Sequence, residues 1–295
     1  MCRRSAQCPR AIDVVVTEVN SFLAREAEID SALVASEAGV VIDNVDAVSD
    51  LQQLRELMHE IWGAEIVPPR NLLRGMAMAG SGIAMARRSG SAVGFSLGLL
   101  GWGDGVHFHS HQVGVLAAER GTGVGYALKL AQRAHCLARG VTEMRWTFDP
   151  LLASNAAFNL LRLGATITSF IPDCYGARTD AFNTGDVTDR VKVSWRLDQP
   201  VGSSALKPAW TGEPLIGLVD GGARAVRSPV SVRPGSFIPL PVNYQLLRAE
   251  NPELAASWRT ATRAAFVDCY DSGLSVVGYS SLGYGVSATH LKTSN

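Results

Sequence analysis

Arg120-Gly121-Thr122-Gly123-Val124-Gly125 sets three glycines at alternate positions, after the apolar run Val113-Gly114-Val115-Leu116 and at the opening of a helical-looking stretch that starts at Gly123. Without a Cβ the backbone can curl, so successive N–H groups can converge on an anion at a helix N-terminus. A diphosphate suits such a turn. The helix dipole contributes ~0.3–1 kcal/mol, and N–H hydrogen bonds to a charged acceptor add more. The spacing departs from the G-x-G-x-x-G of parallel dinucleotide-binding units, and the Gly-Lys-Ser/Thr of a P-loop is absent. The alternative is a turn that only closes a strand-helix corner.

His109 and His111 precede the turn on an expected strand. Two residues apart, they share one face, about 6.5–7 Å apart along the backbone. An amine of pKa near ~10.4 is almost wholly protonated at pH 7, so its use as a nucleophile calls for a base. Imidazole, with an ordinary pKa near ~6.5, fits that task, with a water linking the pair as a proton wire. The alternatives are histidines that pack or face solvent, or a surface metal cluster with His107; we expect no metal site. Asp149 ends Trp146-Thr147-Phe148-Asp149, where it can hold an ammonium, orient a histidine, or cap the turn at Pro150. Tyr175, in Pro172-Asp173-Cys174-Tyr175-Gly176, is a proton donor or a core cap. Asn155 stands where a helix begins and reads as its N-cap, and Asp189-Arg190 reads as a surface ion pair.

The elements that must position these residues follow from periodicity. Val40-Val41-Ile42 reads as a strand, and Asp46 to Ile61 as a helix whose Leu51, Leu54, Leu57, Met58 and Ile61 share a face. A helix over Leu72 to Ala79 and three strands, Gly82 to Arg87, Ser91 to Leu100 and Val106 to Leu116, follow as an antiparallel meander. A helix then runs from Gly123 to about Arg139, stopped by Gly140. Strand Glu143 to Phe148, helix Asn155 to Leu163 ended by Gly164, and strands Thr166 to Ile171 and Val191 to Leu197 complete the order β-α-α-β-β-β-α-β-α-β-β. Pro, Gly, Ser and Arg dominate as far as Pro241. We therefore divide the chain into an N-terminal extension 1–38 with weak helical character from Glu18, a domain 39–198, an irregular arm 199–241, and an extension 242–295. That last part holds a helix from Asn251-Pro252 to near Gly273 and a final strand, Leu274 to Tyr279.

The 295 residues are 47% hydrophobic, with 27 basic and 27 acidic side chains. A zero net charge gives no field for nucleic acid or an anionic membrane, and the longest apolar run, Ala92 to Trp102, is too short to span one. Five scattered cysteines, an odd number with no C-x-x-C pair, fit a reduced, cytoplasmic setting. The leader Met1 to Arg10, with Cys2 and Cys8, reads as a loose tail rather than a secretion signal.

Arg120, Gly123 and Gly125 resemble the Gln/Arg-x-x-Gly-x-Gly/Ala signature of the GNAT acyltransferases, and the order of elements from Gly39 to Leu197 resembles that fold. The resemblance extends through Trp146 to Leu151, Asn155-Ala156, Leu163-Gly164-Ala165, Tyr175-Gly176, Thr188-Asp189-Arg190, Trp258-Arg259, Arg263 and Val276 to Tyr279, which are similar to a GNAT-like group with a C-terminal extension. It implies an α/β GNAT fold, a mixed, mostly antiparallel sheet flanked by helices and splayed between its fourth and fifth strands. It further implies acetyl-CoA or another acyl-CoA as co-substrate, held by Val113, Gly114 and Val115, by Arg120, Gly121, Thr122, Gly123, Val124, Gly125 and Tyr126, and by Asn155. His109-Ser110-His111 resembles the two-histidine strand of arylalkylamine N-acetyltransferases. The implied activity is N-acylation of a small-molecule amine or amino acid by direct attack, catalysed by His109, His111, Tyr175 and Asp149; a homodimer is left open. The chain departs from the family pattern at Leu160, where many members carry a tyrosine that protonates the departing thiolate. That departure keeps two alternatives in view: an acyl-CoA-binding scaffold without transfer, and a thioester decarboxylase or hydrolase.

Overall fold

The computed structural model describes residues 11–176, 186–203 and 210–288. The leader with Cys2 and Cys8 lies outside them. The described chain forms two compact units that divide between Met144 and Arg145, within one strand.

The first unit opens with α1 (Ala11–Glu37), a longer helix than the weak pattern after Glu18 suggests, and Gly39 at φ 64° turns the chain out of it. Then come β1 (Val41–Asn44), α2 (Val48–Trp62), α3 (Arg70–Met78), β2 (Ile83–Arg88), β3 (Ser91–Gly101), β4 (His107–Val115) and α4 (Val124–Leu137), in the expected order. The strands are antiparallel neighbours in the sequence β1-β2-β3-β4. Leu51, Leu54, Leu57 and Met58 recur at helical spacing and are buried, packing with Leu73 of α3 and with Phe95 and Leu97 of β3. Burying each such side chain contributes ~1.5–3 kcal/mol. The strand residues Ala86 and Val93 instead join Val124, Ala127 and Leu128 of α4 and Ala35 and Ala38 of α1. Alternation along the strands thus divides this unit into an α2/α3 layer and an α1/α4 layer.

The second unit continues from β5 (Glu143–Phe148) into α5 (Ala153–Ala156), which passes into π-helical turns over Ala157–Arg162, and then β6 (Thr166–Ile171) and β7 (Arg190–Arg196). Within it the order is β5-β7-β6, with β6 and β7 antiparallel. The N-cap of α5 is Leu152, so Asn155 stands inside the first turn and does not cap it. The arm over 199–241 is more regular than its composition suggests. It holds the antiparallel pair β8 (Ile216–Val219) and β9 (Arg224–Arg227), joined through the left-handed Gly221 and Gly222, and the short β10 (Phe237–Ile238). Leu215, Ile216 and Ala225 are buried there, a core contribution too brief to register as periodicity.

Two helices follow, α6 (Tyr244–Glu250) and α7 (Pro252–Asp271), then β11 (Ser275–Ser280) and β12 (Gly283–Ser287). β11 is not the final strand. It pairs with β12 in a three-stranded sheet of order β10-β12-β11, and Gly283-Tyr284-Gly285 disguises that pairing as a turn. Phe266 of α7 stacks on Phe170 at 4.8 Å and meets Tyr284 edge-on at 5.4 Å, and the buried Tyr284 hydroxyl donates to Pro150 O at 2.8 Å. The start of α7 is as expected: Asn251 Oδ1 accepts the Leu254 N–H at 3.0 Å, with Pro252 in the first turn. Asn251→Ala should therefore cost ~1 kcal/mol, read as a lower urea midpoint at unchanged slope. An unchanged midpoint would show that the cap contributes nothing.

Candidate active site

The glycine turn forms as an open junction. Gly121 (φ 80°) and Gly123 (φ 95°) are left-handed, and Gly123 is the N-cap of α4 with no side chain capping it. An L-residue is strained at such φ values, so glycine is needed at both positions. The Tyr126 and Ala127 N–H groups return to Gly123 O at 3.0 Å each. The N–H groups of Gly121, Gly123, Val124 and Gly125 find no backbone carbonyl among the described residues. Arg120, Gly121 and Thr122 are exposed, and a Cβ on Gly121 would have nothing within 4 Å. Arg120, Gly121, Thr122, Gly123, Val124, Gly125 and Tyr126 are thereby brought together at the positive end of α4.

The junction is braced by Arg88, a residue outside every motif. Arg88, at the end of β2, donates to Glu119 Oε2 at 3.0 and 3.2 Å, to Ala38 O at 2.9 Å and to Gly39 O at 3.3 Å. It ties the end of α1 to the residues just before the turn. Ala38 Cβ also lies 3.4 Å from where a Cβ on Gly123 would stand. No short motif marks Arg88; only the fold brings residues 38, 88 and 119 together.

β4 leads into the turn and carries a bulge. Ser110 pairs with Gly98 and Gln112 with Leu97, so His111 is an extra residue on β4 with no partner on β3. Ser110 faces α4, where its Oγ donates to Gln132 Oε1 at 2.8 Å. His109 and His111 take the other face, their rings 5.9 Å apart and inclined by 36°. His109 is half-buried and His111 exposed, the shared face expected from their spacing. The bulge itself is invisible in a strand pattern, because it changes the register by one without changing residue types. Past it, Val113 and Val115 pack toward α4 while Gly114 lies where a side chain would strike Phe95 and Trp62.

Asp149, Tyr175 and Asn155 belong to the second unit. Asp149 is committed to ion pairs: Arg259 reaches its two oxygens at 2.8 and 2.6 Å, Arg190 stands 3.7 Å away, and Oδ1 accepts the Leu151 N–H at 2.9 Å. Asp186 takes the other edge of Arg259 at 2.8 and 3.1 Å. The Tyr175 hydroxyl lies 3.1 Å from Thr147 Oγ1, the residue is 44% exposed, and the Arg190 guanidinium lies over its ring, 5.6 Å from the centre. Asn155 is half-buried. Asp189 is not the surface partner of Arg190. It is 1% exposed and bound by Arg263 at 2.5–3.1 Å, because residues 74 positions apart meet where α7 folds back.

Beneath the histidine strand lies a buried lysine. Lys129 Nζ donates to Ser110 Oγ at 2.7 Å and stands 3.8 Å from Met144 Sδ. Burial strips water from the ammonium and lowers its pKa from the ordinary 10.5 to about 7. Burial likewise pushes the neighbouring Cys136 thiol up to about 12, so it stays neutral across that range.

No family model matches the chain, and no curated protein matches it. Among solved structures it is similar to the ribosomal-protein-S18-alanine N-acetyltransferase from Escherichia coli, at 12% identity and TM-score 0.45 over 56% of this chain and 97% of that one. It is also similar to yncA from Salmonella typhimurium, solved with its cofactor acetyl-CoA, at 18% identity and TM-score 0.43 over 57% and 99%. The ribosomal-protein-alanine N-acetyltransferase from Brucella melitensis stands at 19% identity and TM-score 0.43 over 53% and 99%.

The lysine gives a pH signature. Its pKa is lower in the folded state, so between pH about 7 and 10.5 the unfolded chain holds the extra proton. Stability therefore rises with pH across that window, and the cost of burial is complete below it. Lys129→Met should remove up to about 1.4 kcal/mol of slope per pH unit and leave the variant more stable than the parent at pH 6.5. Urea unfolding of both proteins at pH 6.5, 8 and 9.5 checks this; parallel curves would contradict it.

Proposed function

We propose that this protein is an acyl-CoA-dependent N-acyltransferase of the GNAT type, holding the CoA diphosphate on the amide groups of the Gly121–Gly125 turn. The observation that carries the reading is the open end of α4, where four neighbouring N–H groups have no backbone acceptor among the described residues, beside the left-handed Gly121, which is exposed, and Gly123, which is half-buried. An anion there completes hydrogen bonds that are otherwise left to water, and it meets the positive end of the helix dipole. The order of elements supports the same reading, since strand, glycine turn and helix follow one another as the resemblance implies. The acyl donor is acetyl-CoA or another short acyl-CoA, and the acceptor is a small-molecule amine or amino acid.

In this mechanism the turn fixes the donor, and Val113 to Val115 lie along its arm. His109 and His111, set on one face of β4 by their spacing, draw a proton from the acceptor ammonium, directly or through one water, so that a neutral amine attacks the thioester carbonyl. The tetrahedral adduct gives up its surplus N–H proton to water and collapses to amide and thiolate. Tyr175, with its exposed ring, is retained as the proton donor to the departing sulfur. Asp149 is assigned no proton transfer, because Arg259 engages both of its oxygens and Arg190 stands beside Oδ2; its role is to fix Arg190 over the Tyr175 ring.

A second reading has one observation in its favour. Leu160 is 3% exposed in the π-helical segment, a core side chain where the family pattern has an acid. Acyl-CoA binding without transfer fits that replacement.

Calorimetric titration with acetyl-CoA separates these readings. Under the proposal it binds, and Gly121→Ala, which puts a Cβ at φ 80°, weakens it about tenfold, the equivalent of ~1.4 kcal/mol. His109→Ala and His111→Ala should keep the affinity and lower turnover ~10²-fold or more against an amine panel. Binding without CoA release under any acceptor favours the scaffold, and no binding at millimolar acetyl-CoA rejects both.

A further inference from the structure

Ser110 stands between His109 and His111, and its side chain points the other way, into the face that β4 presents to α4. Its hydroxyl is held from two directions. Lys129 Nζ donates to Ser110 Oγ at 2.7 Å, and Ser110 Oγ donates to Gln132 Oε1 at 2.8 Å. Lys129 and Gln132 are three residues apart on α4 and share one face of that helix, so they form a two-pronged clamp on a single oxygen. All three side chains are buried, Lys129 and Gln132 at 3% exposed and Ser110 at 5%. A hydroxyl with a donor before it and an acceptor beyond it is fixed in rotation, which sets the direction of the chain Lys129-Ser110-Gln132.

The strand needs an anchor at this point. The bulge at His111 interrupts the ladder with β3, and the residue opposite Ser110 is Gly98, which has no side chain to pack against it. What the ladder and the cross-strand pair do not supply, α4 supplies through the hydroxyl. Fixing Ser110 restrains the backbone on either side of it, from which two imidazoles project with ring centres 5.9 Å apart. The lysine carries a stability cost, since burial disfavours its ammonium and lowers its pKa to about 7. Such departures from core chemistry collect at functional sites. The amine donates a hydrogen bond whether charged or neutral, so the clamp holds on both sides of that pKa.

We propose that Lys129, Ser110 and Gln132 are positioning residues, which keep His109 and His111 in one mutual orientation by clamping the strand between them to α4. The three act through the histidines and are assigned no contact with substrate. That the pair transfers a proton rests on the acyltransferase reading; the clamp itself does not.

The test joins the ring-to-ring nuclear Overhauser effect between His109 and His111, read by NMR on the full chain, with turnover and acetyl-CoA titration. In the parent the two rings should give a cross-peak. Ser110→Ala, which removes both hydrogen bonds, should lose most of it, lower kcat ~10- to 100-fold through misplacement of the pair, and leave the acetyl-CoA titration unchanged. Lys129→Met should weaken the cross-peak and lower kcat in the same direction while being the more stable protein at pH 6.5, so its loss of turnover does not come from a damaged fold. Ser110→Thr, which keeps the hydroxyl, should restore most of the cross-peak and of kcat relative to Ser110→Ala. A parent without the cross-peak, or either Ser110→Ala or Lys129→Met keeping the parent's cross-peak and kcat, would each overturn the proposal. A parent that transfers no acyl group to any amine, but whose cross-peak disappears in the two variants, would leave the clamp standing and reject the acyltransferase reading.

Discussion

A helix that starts in solvent leaves its first N–H groups without partners, and most helices resolve this with a serine, threonine, aspartate or asparagine at the cap. Here α7 does so through Asn251, whereas α4 begins at a bare left-handed glycine with no capping side chain. The contrast lies within one chain and one physical problem. A glycine cap with open space around Gly121 forgoes a local hydrogen bond, and what it gains is access to the backbone for an external anion. The functional reading of this protein depends on that uncapped end.

The surrounding structure holds the turn in place. Arg88 gathers Ala38, Gly39 and Glu119, so that the chain entering the turn is fixed to the end of α1. β4 is fixed from both faces: Ser110, Val113 and Val115 meet α4, while Gly114 leaves room for Trp62 and Phe95, whose rings meet edge-on at 5.1 Å. Between these anchors β4 bulges at His111, and the two imidazoles lie on the face away from α4. Burying Lys129 under that strand, at a pKa of about 7, costs stability that a methionine would not. The lysine is the electrostatic liability of this layer, and it sits against Ser110, the residue between the two histidines.

The regular elements of 39–198 were legible because their signals are local. Leu51, Leu54, Leu57 and Met58 repeat at helical spacing, the glycines at 121 and 123 mark the turn, and Asn251-Pro252 announces α7. What escaped depends on partners distant in sequence. Asp189 looked like half of a surface pair with Arg190, yet its partner is Arg263 on α7, and Asp149 looked available until Arg259 closed on it. Asn155 has the residue type of a cap, while the backbone starts α5 two residues earlier. The β8–β9 pair and β12 were hidden by glycine and proline in short strands whose burial comes from other elements. In the candidate site, the turn and the paired histidines could be read from spacing; the bulge and the Arg88 brace could not, since each is a product of register or packing.

The most direct test of the central claim is an amide NMR titration with acetyl-CoA, following the N–H resonances of Gly121, Gly123, Val124 and Gly125. A diphosphate bound on these groups predicts that all four move downfield together and saturate with the calorimetric affinity, and that desulfo-CoA, which keeps the diphosphate but lacks the thiol, moves them alike. Binding that leaves these four amides unmoved while shifting others would contradict the account.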